Sequence, residues 1–252
     1  MRGMVVVALV AVMLTIAGCV SPGDGNDGPV QNGTTVDIES SGQTYPAYIA
    51  APGEGGPYAA VVLIHSFNGL EPGYEEMVDR FAGEGFVVIA PEWQTYEQSP
   101  QDDTMEALIR DTIAYLGTRS DVNNDHLGLT GFCAGGRYTM LFLPRIEEFD
   151  SAVAFYGFPY SGGPANGTPP ADFIDEIDDP MLIIHGTADQ ASPVADIYQY
   201  VTDLDAAGKY FELKVYQGEP HGFMVQEGQL SESFVAQNAY GEMVTFFNRT
   251  LG

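Results

Sequence analysis

The residue in this chain best placed to do chemistry is Cys133, which stands in the run Gly131-Phe132-Cys133-Ala134-Gly135-Gly136. A strand-like run, His126 to Thr130, feeds into it, and a helix-like run, Arg137 to Phe142, leaves it. A nucleophile on so tight a strand-to-helix turn needs small residues around it, and the turn raises its side chain into the open. A thiol there needs a base within hydrogen-bond reach, and the base needs an acid to orient it. Asp189, in Gly186-Thr187-Ala188-Asp189-Gln190, and His221, in Glu219-Pro220-His221-Gly222-Phe223, supply both types in the order nucleophile, acid, base. Asp179 and Asp196 are alternative acids. His65 and His185 end apolar runs and read as structural groups, and no histidine pair has the spacing of a metal site.

The elements that must position these residues follow from periodicity. Val36–Ser40 and Thr44–Ala51 alternate as an antiparallel pair. Tyr58–His65, Phe86–Ala90, Ala152–Tyr156 and Met181–His185 are near-continuous apolar runs, expected of strands buried on both faces, and Phe211–Tyr216 is a further strand. Helical spacing appears at Tyr74–Ala82, Thr104–Leu116, Cys133–Leu143, Val194–Ala207 and Ser233–Leu251. Strands alternating with helices predict an α/β fold, a mostly parallel central sheet with helices on both faces. In such a sheet the site lies beyond the carboxyl ends of the strands. The elbow, the turn at Ser66, the loop holding Asp189 and the loop holding His221 all fall at that edge. Gly157 to Asp179 is a long segment rich in Gly, Pro and Asp, of the length seen in functional lids or disordered segments.

With these residues in view, the chain resembles the dienelactone hydrolases (carboxymethylenebutenolidases) of the α/β-hydrolase superfamily. The resemblance rests on GFCAGGR at 131–137, AVAFYG at 152–157, HGTADQASP at 185–193 and HGF at 221–223, and runs from about Tyr58 to the C-terminus. It implies that Cys133 is the nucleophile, Asp189 the acid and His221 the base, and that a small ester or lactone is cleaved through an acyl-enzyme with no cofactor and no metal. Two backbone N–H groups, of Phe67 and Ala134, are the expected oxyanion donors. Two positions depart from the family pattern: Ser66 stands where members often carry Glu, and Met224 and Val225 stand where an arginine holds the substrate carboxylate. Ser66 and Arg137 remain as candidate substrate contacts. Acyl transfer through the same triad, or capture of a small ligand without catalysis, are the alternative readings.

The 252 residues carry 35 acidic and 9 basic side chains, a formal net charge of −26, and only two lysines, Lys209 and Lys214. That surface repels nucleic acid, which is excluded as a partner, and suggests adaptation to high salt, where counterions screen self-repulsion. Residues 1–18 read as an export signal: Arg2, then an apolar run from Met4 to Ala17, ending at Cys19. Thr15-Ile16-Ala17-Gly18-Cys19 is similar to a lipobox, so Cys19 is expected to be lipidated and to hold an exported protein on the outer face of the cytoplasmic membrane; a plain secretory signal, which would release it, or an uncleaved anchor are the alternatives. Residues 19–35 read as a flexible tether and 36–252 as one catalytic domain, expected to be a monomer. Sequons begin at Asn32, Asn166 and Asn248.

Overall fold

The computed structural model describes residues 32–252. The expected signal segment, Cys19 and most of the tether lie outside them. Among the described residues no helix is long and apolar enough to cross a membrane.

Eight strands form one sheet: β1 (Thr34–Ser40), β2 (Gln43–Ala50), β3 (Tyr58–Ile64), β4 (Val87–Pro91), β5 (Val122–Phe132), β6 (Ser151–Phe155), β7 (Met181–Gly186) and β8 (Phe211–Tyr216). Their order is β1-β2-β4-β3-β5-β6-β7-β8. β1 and β2 enter as an antiparallel hairpin, and β2 runs antiparallel to β4; every other neighbouring pair is parallel. The sheet is thus the mostly parallel one expected from the sequence. β1 begins at Thr34, just before the expected domain start, because Thr34 and Thr35 already pair with Ile49 and Tyr48.

The apolar runs divide residue by residue between two cores, as the period-two geometry of a strand requires. Ala60, Val62 and Ile64 of β3 face a layer built by α2 (Asp102–Leu116), α3 (Ala134–Phe142) and α4 (Val194–Ala206). Val61 and Leu63 face the opposite layer, built by α1 (Pro72–Gly83) and α5 (Phe234–Thr250). Pro72 occupies the first turn of α1, where its missing N–H costs nothing. Ser233 caps α5 by accepting a hydrogen bond from the Ala236 N–H, 3.1 Å. The outer strands β1 and β8 are the least buried, and both carry charged side chains that discourage pairing with another chain.

Two features were not legible in advance. A short hairpin, β9 (Val225–Gln226) and β10 (Gln229–Leu230), turns through Glu227 and Gly228, both at positive φ. It lies against α1, with the Gly73 N–H donating to the Gly228 carbonyl at 3.0 Å. The segment from 157 to 179 is ordered by a 3-10 turn at Pro170–Glu176 and by contacts described below.

Phe247 is fully buried in the α1/α5 layer, with its ring 5.8 Å from that of Phe81 and 6.4 Å from that of Phe86. Phe234, at the start of the same helix, is 82% exposed. Phe247→Ala should lower the free energy of unfolding by about 3–5 kcal/mol, while Phe234→Ala should stay within roughly 0.5 kcal/mol of the parent. Urea titration followed by circular dichroism reads both, and equal effects would contradict this packing.

Candidate active site

The elbow is built by backbone contact. Cys133 adopts φ 59° and ψ −113°, a conformation L-residues rarely hold. A Cβ on Gly131 would collide with the Gly135 carbonyl, one on Gly135 with the Ile64 carbonyl, and one on Gly136 with the Phe155 carbonyl. The three glycines therefore let β5, α3 and the ends of β3 and β6 meet around the thiol. The Cys133 N–H donates to the Phe155 carbonyl at 3.1 Å, and the Cys133 carbonyl accepts from the Arg137 N–H at 3.0 Å, opening α3. Cys133 borders a cavity and is a free thiol.

Asp189 and His221 meet as their order in the chain implied. His221 Nδ1 lies 2.7 Å from Asp189 Oδ2. The other carboxylate oxygen, Oδ1, accepts the N–H groups of Ala191 at 2.9 Å and Ser192 at 2.8 Å. Burial pushes the Asp189 carboxyl up, but the His221 and Ser192 hydrogen bonds outweigh it and hold its pKa below 3.8. The alternative acids are not there: Asp179 precedes β7, at the opposite edge of the sheet, and Asp196 lies in the exposed first turn of α4.

His221 Nε2 is buried and has no partner in full hydrogen-bond geometry. Its neighbour in the cavity is Cys133. Burial works against charging the imidazole, but Asp189 and then Cys133 prevail, raising its pKa from 6.5 to about 9. Tyr156 and Phe158 hold the ring from the side, with centroids 5.0 and 5.4 Å away. Behind it, Phe223 and Met224 are fully buried in the core and fix the loop.

Both expected oxyanion donors border the same cavity as Cys133: Phe67 from the turn after β3 and Ala134 from the first residue of α3. The two candidate substrate contacts are placed differently. Ser66 is buried and absent from the cavity wall; its Oγ accepts the Asn68 N–H at 3.2 Å, which makes it a turn-forming group. Arg137 borders the cavity, but its guanidinium is engaged bidentately by Asp102 at 2.8 and 2.9 Å.

His65 and His185 are buried structural groups satisfied on one side only. His65 Nδ1 meets the Ser66 carbonyl at 2.8 Å and His185 Nε2 the Ser192 carbonyl at 2.9 Å; the other nitrogen of each is unpartnered. Burial lowers the His65 pKa to about 4 and also lowers that of His185, so both rings are neutral. Two phenols escaped the sequence reading, Tyr74 and Tyr156. Both are fully buried, burial raises both pKa values, and Cys133 pushes them the same way. Tyr156 closes the apolar run Ala152–Tyr156 and stands within AVAFYG, but nothing local in the sequence points its ring at the thiol.

The raised His221 pKa carries a sign. Because the folded value lies above 6.5, this group stabilises the fold fully below pH 6.5, and that stability is lost as pH rises through about 9. Asp189→Asn should lower the His221 midpoint by more than roughly one unit, and Cys133→Ala should lower it as well. Imidazole proton shifts in NMR titrations read both, and an unmoved midpoint in Asp189→Asn would contradict the coupling.

The dienelactone hydrolase family profile matches residues 45–251. Among curated proteins the chain is 28% identical to Protein usf of Aquifex pyrophilus over 244 residues, covering 87% of this chain and 99% of that one. It is 27% identical over 231 residues to a protein provisionally named a carboxymethylenebutenolidase in Escherichia coli K12, covering 84% and 85%. Among solved structures, one from Klebsiella pneumoniae provisionally described as a dienelactone hydrolase superposes with a TM-score of 0.78 at 24% identity, covering 86% of this chain and 98% of that one. With the profile spanning most of the sequence, from β2 to the end of α5, the chain belongs to the dienelactone hydrolase family.

Proposed function

We propose that this protein hydrolyses a small ester or lactone through a Cys133–His221–Asp189 triad and a covalent thioester. Membership of the family makes it a hydrolase acting on esters or lactones; the triad is our reading of its site. The observation that carries it is the 2.7 Å contact of Asp189 with His221 Nδ1, which leaves Nε2 turned to the one free thiol among the described residues.

The steps follow from the placement. The proton shared by Cys133 and His221 resides on Nε2, where the raised imidazole pKa places it, as Sγ attacks the carbonyl carbon. The N–H groups of Phe67 and Ala134 receive the developing oxyanion. The carbonyl re-forms, the carbon–oxygen bond of the leaving alkoxide breaks, and His221 returns the proton to that oxygen. A water molecule then gives a proton to His221 and attacks the thioester; the carbon–sulfur bond breaks with its electron pair left on sulfur, the acid departs, and the Cys133–His221 pair is restored with its proton on Nε2. Asp189 stays ionised throughout, fixing the tautomer and offsetting the imidazolium charge.

Cys133→Ala should lower kcat on p-nitrophenyl acetate by roughly 1000-fold or more, and Asp189→Asn by at least roughly 100-fold. The parent should release a stoichiometric burst of nitrophenol and gain the mass of one acetyl group on the peptide containing Cys133. Unchanged turnover in Cys133→Ala would remove the assignment.

A further inference from the structure

The cavity over Cys133 has a volume of about 470 Å³, within the range of sites that enclose a small organic ligand. Its wall is largely apolar, made by the aromatic rings of Phe67, Trp93, Tyr138 and Phe158. The polar handles of the two most buried rings are turned away: Trp93 Nε1 donates to the His65 carbonyl at 3.2 Å, and Tyr138 Oη lies 3.5 Å from the Pro100 carbonyl.

Apart from His221 at the reacting end, Arg137 is the one cation on this wall. It is already neutralised. Asp102, at the start of α2, takes both terminal nitrogens, Nε donates to the Ser161 carbonyl at 2.9 Å, and Nη2 also donates to the Thr168 carbonyl at 2.8 Å. Asp102 in turn accepts the Thr168 N–H at 3.0 Å. Both side chains are almost completely shielded from solvent, 4% and 10% exposed. A carboxylate at the end of the cavity away from His221 would lose its hydration, find Arg137 already paired, and approach Asp102 in a protein of net charge −26. A neutral apolar group loses little hydration and gains contact with the rings.

We propose that the cavity is a selective site for uncharged esters bearing an apolar, aromatic or alkyl group, and that the Asp102–Arg137 pair sets this selectivity by cancelling the cation and fixing the 161–168 wall. The ester chemistry rests on the proposed triad; the selectivity rests on the wall.

The test uses probes that differ only at the far end of the acyl chain. p-Nitrophenyl pentanoate ends in a methyl group, and mono-p-nitrophenyl glutarate ends in a carboxylate at the same distance from the reacting carbon. After subtraction of spontaneous hydrolysis, kcat/KM should favour the pentanoate by roughly 100-fold. Asp102→Asn, which unpairs Arg137 with little change of shape, should move that ratio at least roughly tenfold toward the glutarate. In parallel, Cys133→Ala is titrated with pentananilide and glutaric acid monoanilide, which are not cleaved, while the fluorescence of Trp93, the single tryptophan, is followed. The neutral anilide should bind at least roughly tenfold more tightly.

Equal or reversed preference in the parent, or in the anilide titration, overturns the proposal, and so does an unmoved ratio in a folded Asp102→Asn. If that variant does not fold, the parent comparison decides alone. If neither ester shows turnover dependent on Cys133 but the neutral anilide still binds preferentially, the hydrolase reading fails and the selectivity of the site stands.

Discussion

The structure turns on a place where backbone touches backbone. Gly131, Gly135 and Gly136 leave no room for a side chain because the carbonyls of Ile64, Gly135 and Phe155 occupy that space. These contacts join the ends of three neighbouring parallel strands to the first turn of α3, and hold Cys133 at a positive φ that it would not adopt alone. The conformation is stabilised from outside the residue: its N–H is fixed by Phe155, its carbonyl by Arg137, and the adjoining ends of β3 and β6 are buried. A sulfur raised from so rigid a base has little freedom to reorganise, the kind of preorganisation that the proposed attack requires.

Around that base, the ionisable groups are kept apart by their surroundings. Asp189 is held as a carboxylate by two N–H donors and by His221, while burial keeps His65 and His185 neutral. The result is one proton-carrying ring between one carboxylate and one thiol, with no other titrating imidazole in contact with the sulfur's cavity. The buried tyrosines behind the thiol stay protonated for the same reason, since a phenolate there would be both unsolvated and next to sulfur.

Much of this was legible in the sequence, for identifiable reasons. The parallel strands were plain because strands covered on both faces cannot alternate, so Tyr58–His65 and Met181–His185 stand out as near-continuous apolar runs. The elbow was plain because close approach restricts residue type, and Asp189 and His221 because the loops that carry them must sit at one edge of such a sheet. Ser66 and Arg137 were less legible. A side chain at the right place in the chain can point to a partner instead of a ligand, and the partner of Arg137, Asp102, lies 35 residues earlier, on a different helix. Long-range pairing of that kind leaves no local pattern. The hairpin at 225–230 was missed because its strands have two residues each, too few to show a period.

Arg137 lies one helical turn beyond Cys133, on the same helix. Cys133 and the anchor of the cavity wall therefore belong to one rigid body, while the wall itself, from Ser161 to Thr168, is loop. That arrangement separates two kinds of change. Insertions or substitutions in the loop can reshape the space a substrate fills, yet the anchor keeps a constant distance to the sulfur because the helix sets it. Such a chain can diversify what it admits without rebuilding how it reacts, so variation between relatives should concentrate in the stretch between those two carbonyls and spare the turn that bears the thiol.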